Sequence, residues 1–261
     1  MDSADITARD VTMTFHSRGV STPVLDRLSI DIEAGSFVSL LGPSGCGKST
    51  LLKILGGILA PTGGDVRIGG VDAEQAVRAK EIGLVLQRPA LMPWKTAREN
   101  VAMLRSIARG GKVGDAAIDE ALEMVGLTHA ADKLPHELSG GMAQRVSIAR
   151  ALAMEPSILL MDEPFGALDA ITRDSMNETL AEIWAATKKT VVFVTHSISE
   201  AVFLSDAIYV MGVNPGRIIE RIEIDIPRPR GPETFDRADF GDYAAHLREL
   251  LHPAPKKEVV R

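Results

Sequence analysis

The stretch Gly42-Pro43-Ser44-Gly45-Cys46-Gly47-Lys48-Ser49-Thr50 has the spacing G-x-x-x-x-G-K-[ST]. An apolar run, Phe37-Val38-Ser39-Leu40-Leu41, leads into it, and Leu51-Leu52-Lys53-Ile54-Leu55 follows. Strand, glycine-rich turn and helix in that order are what a polyphosphate cradle needs. The glycines let the backbone curl around a phosphate chain with its N–H groups pointing inward. The helix N-terminus adds unpaired donors and partial positive charge. Lys48 brings a full charge to the outer phosphates, and Ser49 a hydroxyl for Mg²⁺. A glycine-rich turn with a surface lysine is the bland alternative, and the flanking strand and helix patterns argue against it. Cys46, the one cysteine, reads as a small side chain that fits the loop rather than a catalyst. A single cysteine permits no intrachain disulfide, which suits a reducing compartment.

Three further groups follow apolar runs. Asp162 comes after Ile158-Leu159-Leu160-Met161, in the manner of the aspartate with which P-loop NTPases hold Mg²⁺. Glu163, one step on, is placed to take a proton from attacking water. Gln87 ends Ile82-Gly83-Leu84-Val85-Leu86; it could orient water or complete a metal shell, although a lone glutamine there is usually surface. His196 also ends a β run, and a lone histidine is more often structural than catalytic. Leu138-Ser139-Gly140-Gly141 opens a helix from 142. Hydroxyl, bare backbone N–H groups and a helix N-terminus make a second anion site there, unless Ser139 is simply an N-cap. One nucleotide rarely needs two such devices. Two chains arranged head to tail could trap nucleotides between the loop of one and the Ser-Gly-Gly turn of the other.

The elements that must position these groups read as α/β. Val11–Phe15 and Leu28–Ile32 alternate apolar and polar residues, the period of half-buried strands, with Ser17-Arg18-Gly19 as a turn between them. A helix is expected over Ser49–Leu59, a short strand over Asp65–Ile68 and a turn at Gly69-Gly70. Residues 88–138 contain no convincing strand. Thr96 and Glu99 form a capping-box pattern. Ile118, Ala121, Leu122 and Val125 share one helix face, with Gly126 to end it. A helix over Met142–Met154 completes a helical lobe spanning about 88–157, inserted between core segments 1–87 and 158–226. Met176, Leu180, Ile183, Trp184 and Thr187 predict a helix over 170–187, with Trp184 in the core. A strand over Thr190–Val194, a short helix over 198–204 and a strand over Ala207–Met211 follow. Strands alternating with helices imply a mainly parallel, right-handed sheet. Ligands in such sheets bind at the carboxyl ends of strands, where the loop, Asp162-Glu163 and His196 can converge. The tail, 227–261, holds Pro-Arg-Pro-Arg-Gly-Pro and a helix over 233–251, and its last ten residues read as solvated.

A hydrophobic content of 45% can build a real core, and 4% aromatics makes that core mostly aliphatic. The formal charge of −6 argues against a nucleic-acid partner. No run approaches the roughly 20 apolar residues of a membrane span. The N-terminus carries Asp2, Asp5 and Asp10 and no apolar segment, so no signal peptide is expected. The chain is expected to be soluble and cytoplasmic, reaching a membrane only by docking to something else.

Taken together, GPSGCGKST, Gln87, LSGGM (138–142), ILLMDEP (158–164), GALD (166–169) and His196 resemble the nucleotide-binding ATPase subunit of an ATP-binding cassette transporter, across roughly residues 5–225. The resemblance implies a RecA-like P-loop core with an antiparallel β portion and an inserted helical subdomain, using ATP and Mg²⁺. It implies that Gly42 to Thr50 bind phosphates with Ser49 on Mg²⁺, and that Phe15 stacks on adenine, where most relatives carry Tyr. Gln87 would touch magnesium and water and sense the membrane partner. Ser139, Gly140 and Gly141 would face the γ-phosphate held by the opposite subunit, and Asp169 would cross the dimer interface. Asp162 would polarise the Mg²⁺ shell, Glu163 act as general base and His196 as the γ-phosphate switch. Gly166 and Met142 depart from the commoner Ser and Gln without touching this chemistry. The stretch Leu91-Met92-Pro93-Trp94 … Glu99-Asn100-Val101 is similar to the nitrate, sulfonate and taurine branch of importers. Trp94 there is either an anchor for a membrane subunit or a packing residue of the lobe. The implied partners are a second copy, membrane permease subunits and, indirectly, a solute-binding protein, at the cytoplasmic face of the inner membrane. A soluble single-cassette ATPase serving a non-transport partner is the alternative.

Overall fold

A computed structural model describes residues 4–17, 19–109 and 115–252. Arg18 of the expected 17–19 turn, residues 1–3 and the tail beyond 252 lie outside the described residues.

β1 (Ile6–Ser17) and β2 (Val20–Ile32) pair antiparallel. β3 (Phe37–Leu41) is buried at every residue, as a strand covered on both faces must be. The phosphate-type loop follows, then α1 (Lys48–Leu55). This helix stops well short of Leu59. Gly57 takes a left-handed φ of 62°, its N–H bonds Ile54 O, and Ile58 N–H reaches back to Lys53 O at 2.9 Å. That pairing is a glycine-terminated C-cap, which overrides the apolar run continuing through Ile58 and Leu59. β4 (Gly63–Ile68), β5 (Val71–Asp72) and α2 (Ala73–Arg78) come next, then β6 (Ile82–Val85).

α3 (Ala97–Arg109), α4 (Asp115–Met124) and α5 (Gly140–Leu152) lie between β6 and β7 (Ile158–Asp162). No strand occurs among the described residues of 88–138. The Thr96 capping box is formed: Thr96 N–H donates to Glu99 Oε2 at 2.8 Å, and Glu99 N–H to Thr96 Oγ1 at 3.2 Å. Ile118, Ala121, Leu122 and Val125 are all buried. α5 begins two residues before Met142, with Ser139 as its N-cap, and it ends at Leu152 rather than Met154. α6 (Ala170–Thr187) buries Met176, Leu180, Ile183 and Trp184, and the Trp184 indole N–H donates to Lys189 O at 3.0 Å. β8 (Thr190–Thr195), α7 (Ile198–Leu204), β9 (Ala207–Gly212) and β10 (Arg217–Glu223) follow. The tail differs from expectation: a 3-10 turn over Pro232–Asp236 precedes α8 (Ala238–Leu251).

The strands make two sheets. One is antiparallel, in the order β2-β1-β4-β5. The other runs β10-β9-β3-β8-β7-β6, parallel from β9 to β6, with β10 antiparallel on its edge. Alternate residues of β3 feed two cores. Val38 and Leu40 face α1 and the antiparallel sheet. Phe37 and Leu41 join a core shared by α4, α5, α6, α7 and α8. The helical segment is thus packed continuously with one face of the parallel sheet. Among the described residues no helix is long and apolar enough to cross a membrane.

Candidate nucleotide site

Four adjacent parallel strands, β3, β8, β7 and β6, end at four of the groups singled out above. β3 runs into Gly42–Thr50, β8 ends beside His196, β7 closes on Asp162 with Glu163 next, and Gln87 stands two residues past β6. Because the strands are parallel, all four line one edge of the sheet, the place where such folds hold ligands.

The loop shapes itself around its lysine. Lys48 is 4% exposed, and its Nζ donates to Gly42 O at 2.7 Å and Pro43 O at 3.1 Å. Gly47 has φ 96°, and a Cβ there would sit 2.6 Å from Leu25 Cδ2. Both the left-handed backbone and the close approach of β2 therefore require glycine. Cys46 is fully buried, and burial pushes its thiol pKa up; a buried thiol held protonated fits a packing role. Thr50 is the third residue of α1, and Pro43, Ser44 and Gly45 (φ 82°) form the turn before it.

Ser49 Oγ donates to Asp162 Oδ1 at 2.8 Å. Lys48 Nζ lies 3.9 Å from Glu163 Oε1, and His196 Nδ1 lies 3.1 Å from Glu163 Oε2. An ionised carboxylate only accepts, so Nδ1 carries the proton in that pairing. Glu163 has φ 44°, a backbone region that costs a residue with a Cβ roughly 1–2 kcal/mol. Its N–H still bonds Val194 O at 3.0 Å, so the neighbouring strand holds this backbone in place. A Cβ added at Gly166 would lie 3.0 Å from Gln87 Nε2 and 3.7 Å from Glu163 Oε2. Gln87 and Glu163 thus flank the same small gap.

Three predicted groups stand elsewhere. Ser139 Oγ accepts from Met142 N–H at 3.2 Å and caps α5. A Cβ on Gly140 would be 3.6 Å from Leu168 Cδ2, and one on Gly141 2.7 Å from Thr172 Cγ2, so this turn leans on the start of α6. Asp169 caps α6, accepting from Thr172 N–H at 3.0 Å and Thr172 Oγ1 at 2.7 Å. Those bonds hold its carboxyl below the usual range. No hydrogen bond or ion pair joins Ser139–Gly141 to Gly42–Thr50 among the described residues. Phe15, on β1 opposite Thr22, is 43% exposed, on the hairpin whose Leu25 abuts Gly47.

Gln144 and Arg150, which support the site, were not singled out by motif, and Asn100 was named only within a longer stretch. Gln144, buried on α5, donates to Leu86 O at 3.1 Å, and Arg150 donates to Pro89 O and Ala90 O. Together they tie α5 to both sides of Gln87. Asn100, fully buried, bonds Met92, Lys95 and Thr96. It pins the turn that holds Trp94, which is 72% exposed. The packing alternative for Trp94 is therefore excluded.

Comparison with known proteins shows the family. The family model described as ABC transporter matches residues 25–166. The taurine import ATP-binding protein TauB of Rhizobium johnstonii is 45% identical over 90% of this chain and 91% of its own. Its counterpart from Pseudomonas aeruginosa is 44% identical over 85% and 84%. Among solved structures, the dimeric ATP-binding cassette MJ0796 bound to ADP and Pi in a post-hydrolysis state superposes with a TM-score of 0.75. It is 33% identical and covers 85% of this chain and 100% of its own. With the loop, the acidic strand end and the histidine side by side on the sheet edge, the chain belongs to the ABC transporter family and is an ATP-binding ATPase subunit of it.

Proposed function

We propose that this ATPase works as a head-to-tail dimer that energises import of a small sulfonate-type solute, taurine being the first candidate, through membrane permease subunits. The observation that carries the reading is the row of groups on one sheet edge, with the Ser139–Gly141 turn held apart from it at the start of α5, against the start of α6. In this reading Gly42 to Thr50 hold the phosphates, Phe15 stacks on adenine, and Ser139, Gly140, Gly141 and Asp169 serve the nucleotide of the second copy.

Glu163 accepts a proton from water as its oxygen attacks the γ-phosphorus; the bond to the β-phosphate oxygen breaks and ADP leaves. His196 holds Glu163 in place through Nδ1 and, as the resemblance implies, responds to the γ-phosphate. Gln87 orients the water. Lys48 neutralises charge on the outer phosphates, and most of the rate comes from such positioning and neutralisation.

The donors present fit Mg²⁺. A hydroxyl and a carboxylate converge at 2.8 Å, Ser49 with Asp162, and no cluster of three or more His, Cys, Asp or Glu competes for a metal among the described residues. Mg²⁺ is held by one or two carboxylates plus substrate phosphates rather than by an all-protein cage. Ser49, Asp162 and Gln87 would hold it, and it would neutralise charge on the β- and γ-phosphates.

Trp94 is the proposed anchor for the permease, since exposed aromatics that become buried dominate interfaces. The solute-binding protein would then meet the permease from the opposite side, with this chain peripheral at the cytoplasmic face. The taurine-import relatives favour this over a soluble ATPase with a non-transport partner. Deleting the gene tests it: taurine or alkanesulfonate uptake should stop and return with the wild-type chain. Trp94→Ala should fold normally yet fail to co-purify with the permease. Unchanged uptake in the deletion strain would remove the importer reading.

A further inference from the structure

The strained Glu163 and its partner His196 do not stand alone. Thr195, the residue before His196, donates from Oγ1 to Glu200 Oε2 and accepts from Ser197 N–H at 2.9 Å. One hydroxyl thus clamps the backbone on both sides of His196. Glu200 is 5% exposed, and burial pushes its pKa up. Its other oxygen, Oε1, lies 3.6 Å from Arg173 Nε. That Nε is buried and has no hydrogen-bond partner. The two groups are within ion-pair distance without a hydrogen bond, a gap that a small shift of α6 would close. Arg173 Nη2 donates to Leu168 O at 2.9 Å. Leu168 and Thr172, beside Arg173, are what a Cβ on Gly140 and on Gly141 would meet, at 3.6 Å and 2.7 Å.

The other end of α7 is fixed. Arg230, buried, donates to Val202 O, Phe203 O and Ser205 O. Arg228 donates to Leu204 O and Asp206 and lies over the Trp184 ring at 4.0 Å. The C-terminus of α7 is thus held by two guanidinium groups, and its N-terminus is bonded through Thr195, Ser197 and Glu200.

We propose that Arg173 and Glu200 are positioning residues that couple the seating of the Leu168–Asp169 turn to the Glu163–His196 pair. The inference rests on the reading of Glu163 and His196 as the hydrolytic pair, and of Asp169 as facing a second copy. When the turn and α6 are pressed inward, Arg173 closes on Glu200, and Thr195 settles the backbone around His196. The ion pair makes hydrolysis conditional on the neighbouring Ser139–Gly141 turn and Asp169 being engaged. Neither residue touches substrate.

The test is steady-state ATPase kinetics on Glu200→Gln, which keeps an acceptor for Thr195 but removes the charge facing Arg173. Arg173→Lys serves as a second variant, because a point charge cannot serve Leu168 O and Glu200 together. The expected result is a fall in kcat of about tenfold, a rise of about 1.4 kcal/mol in the barrier, with KM for ATP within twofold and the melting temperature within about 3 °C. The double variant should lose little more than either single one, as coupled residues do. A wild-type kcat in both single variants, or losses that simply add, would overturn the coupling. A loss of kcat that tracks loss of folded protein would reduce the pair to a structural role and overturn it too. Glu163→Gln run alongside separates the two levels. If it keeps wild-type turnover, the hydrolytic reading itself fails; if it is inactive while Glu200→Gln is normal, only the coupling fails.

Discussion

Two glycine-rich turns open helices in this chain, and they are finished to different degrees. The Gly42–Thr50 loop is served by its own chain throughout. Lys48 is buried against Gly42 and Pro43, Ser49 is bonded to Asp162, and Glu163 and His196 close the row. The Ser139–Gly141 turn has a cap and little else. Ser139 is exposed, and its glycines lean on Leu168 and Thr172 rather than on any group that could do chemistry. Both turns present a helix N-terminus with donors. Only the first is surrounded by charged side chains able to act on what it holds. The difference is the one the proposed head-to-tail dimer requires, in which the second turn would be half of a site whose other half belongs to another copy.

The largest effect is expected on the finished side. Glu163→Gln should cut ATP turnover by roughly 100- to 10,000-fold, the range for a positioned general base, while ATP binding persists; single-turnover hydrolysis and fluorescent-nucleotide binding check both halves of that statement. On the unfinished side, Gly141→Ala drives a Cβ to 2.7 Å from Thr172 Cγ2. Overpacking of that kind costs about 1–3 kcal/mol. ATPase activity should fall while monomeric nucleotide affinity stays at the wild-type value. Equal loss of both would break the comparison, because the two turns would then share one site within a chain. A smaller loss is expected from Ser139→Ala, about 1 kcal/mol of cap energy, read as a drop in melting temperature of a few degrees.

The smallest effect is a pH dependence. Hydrogen bonds from Thr172 depress the Asp169 pKa, so its stabilisation is present above the unfolded value of about 3.9 and is lost as pH falls through the folded one. Asp169→Ala should therefore narrow the stability gap from wild type as the pH is lowered below about 4. A constant gap across that range would contradict the cap geometry.

What could be read from the chain alone was whatever is local. The phosphate loop, the Asp162-Glu163 pair, the Thr96–Glu99 capping box and α6 each declare themselves within a few residues. α1 shows the limit of periodicity: Ile58 and Leu59 prolong the apolar pattern, yet Gly57 in the left-handed region ends the helix. β10 was missed because it is an edge strand, mostly exposed and rich in charge, which blurs alternation while protecting the edge. The supporting shell was hidden for a different reason. Ser197 and Glu200 have capping-box spacing, but the Glu200 carboxylate turns instead to Thr195 and Arg173. Only the packing of α6 against α7 decides that. Likewise nothing local distinguishes a packed tryptophan from Trp94 at 72% exposure.

The central claim, that each nucleotide site is divided between two copies, is tested most directly by mixing two inactive variants. Lys48→Ala disables the loop, and Gly140→Asp places a charge in the other turn. In a head-to-tail dimer of one of each, one site carries both defects and the other carries neither. ATPase activity should therefore reappear on mixing and rise with the fraction of mixed dimer. Activity that stays at the sum of the two inactive parents, with mixed dimers demonstrably formed, would contradict the account.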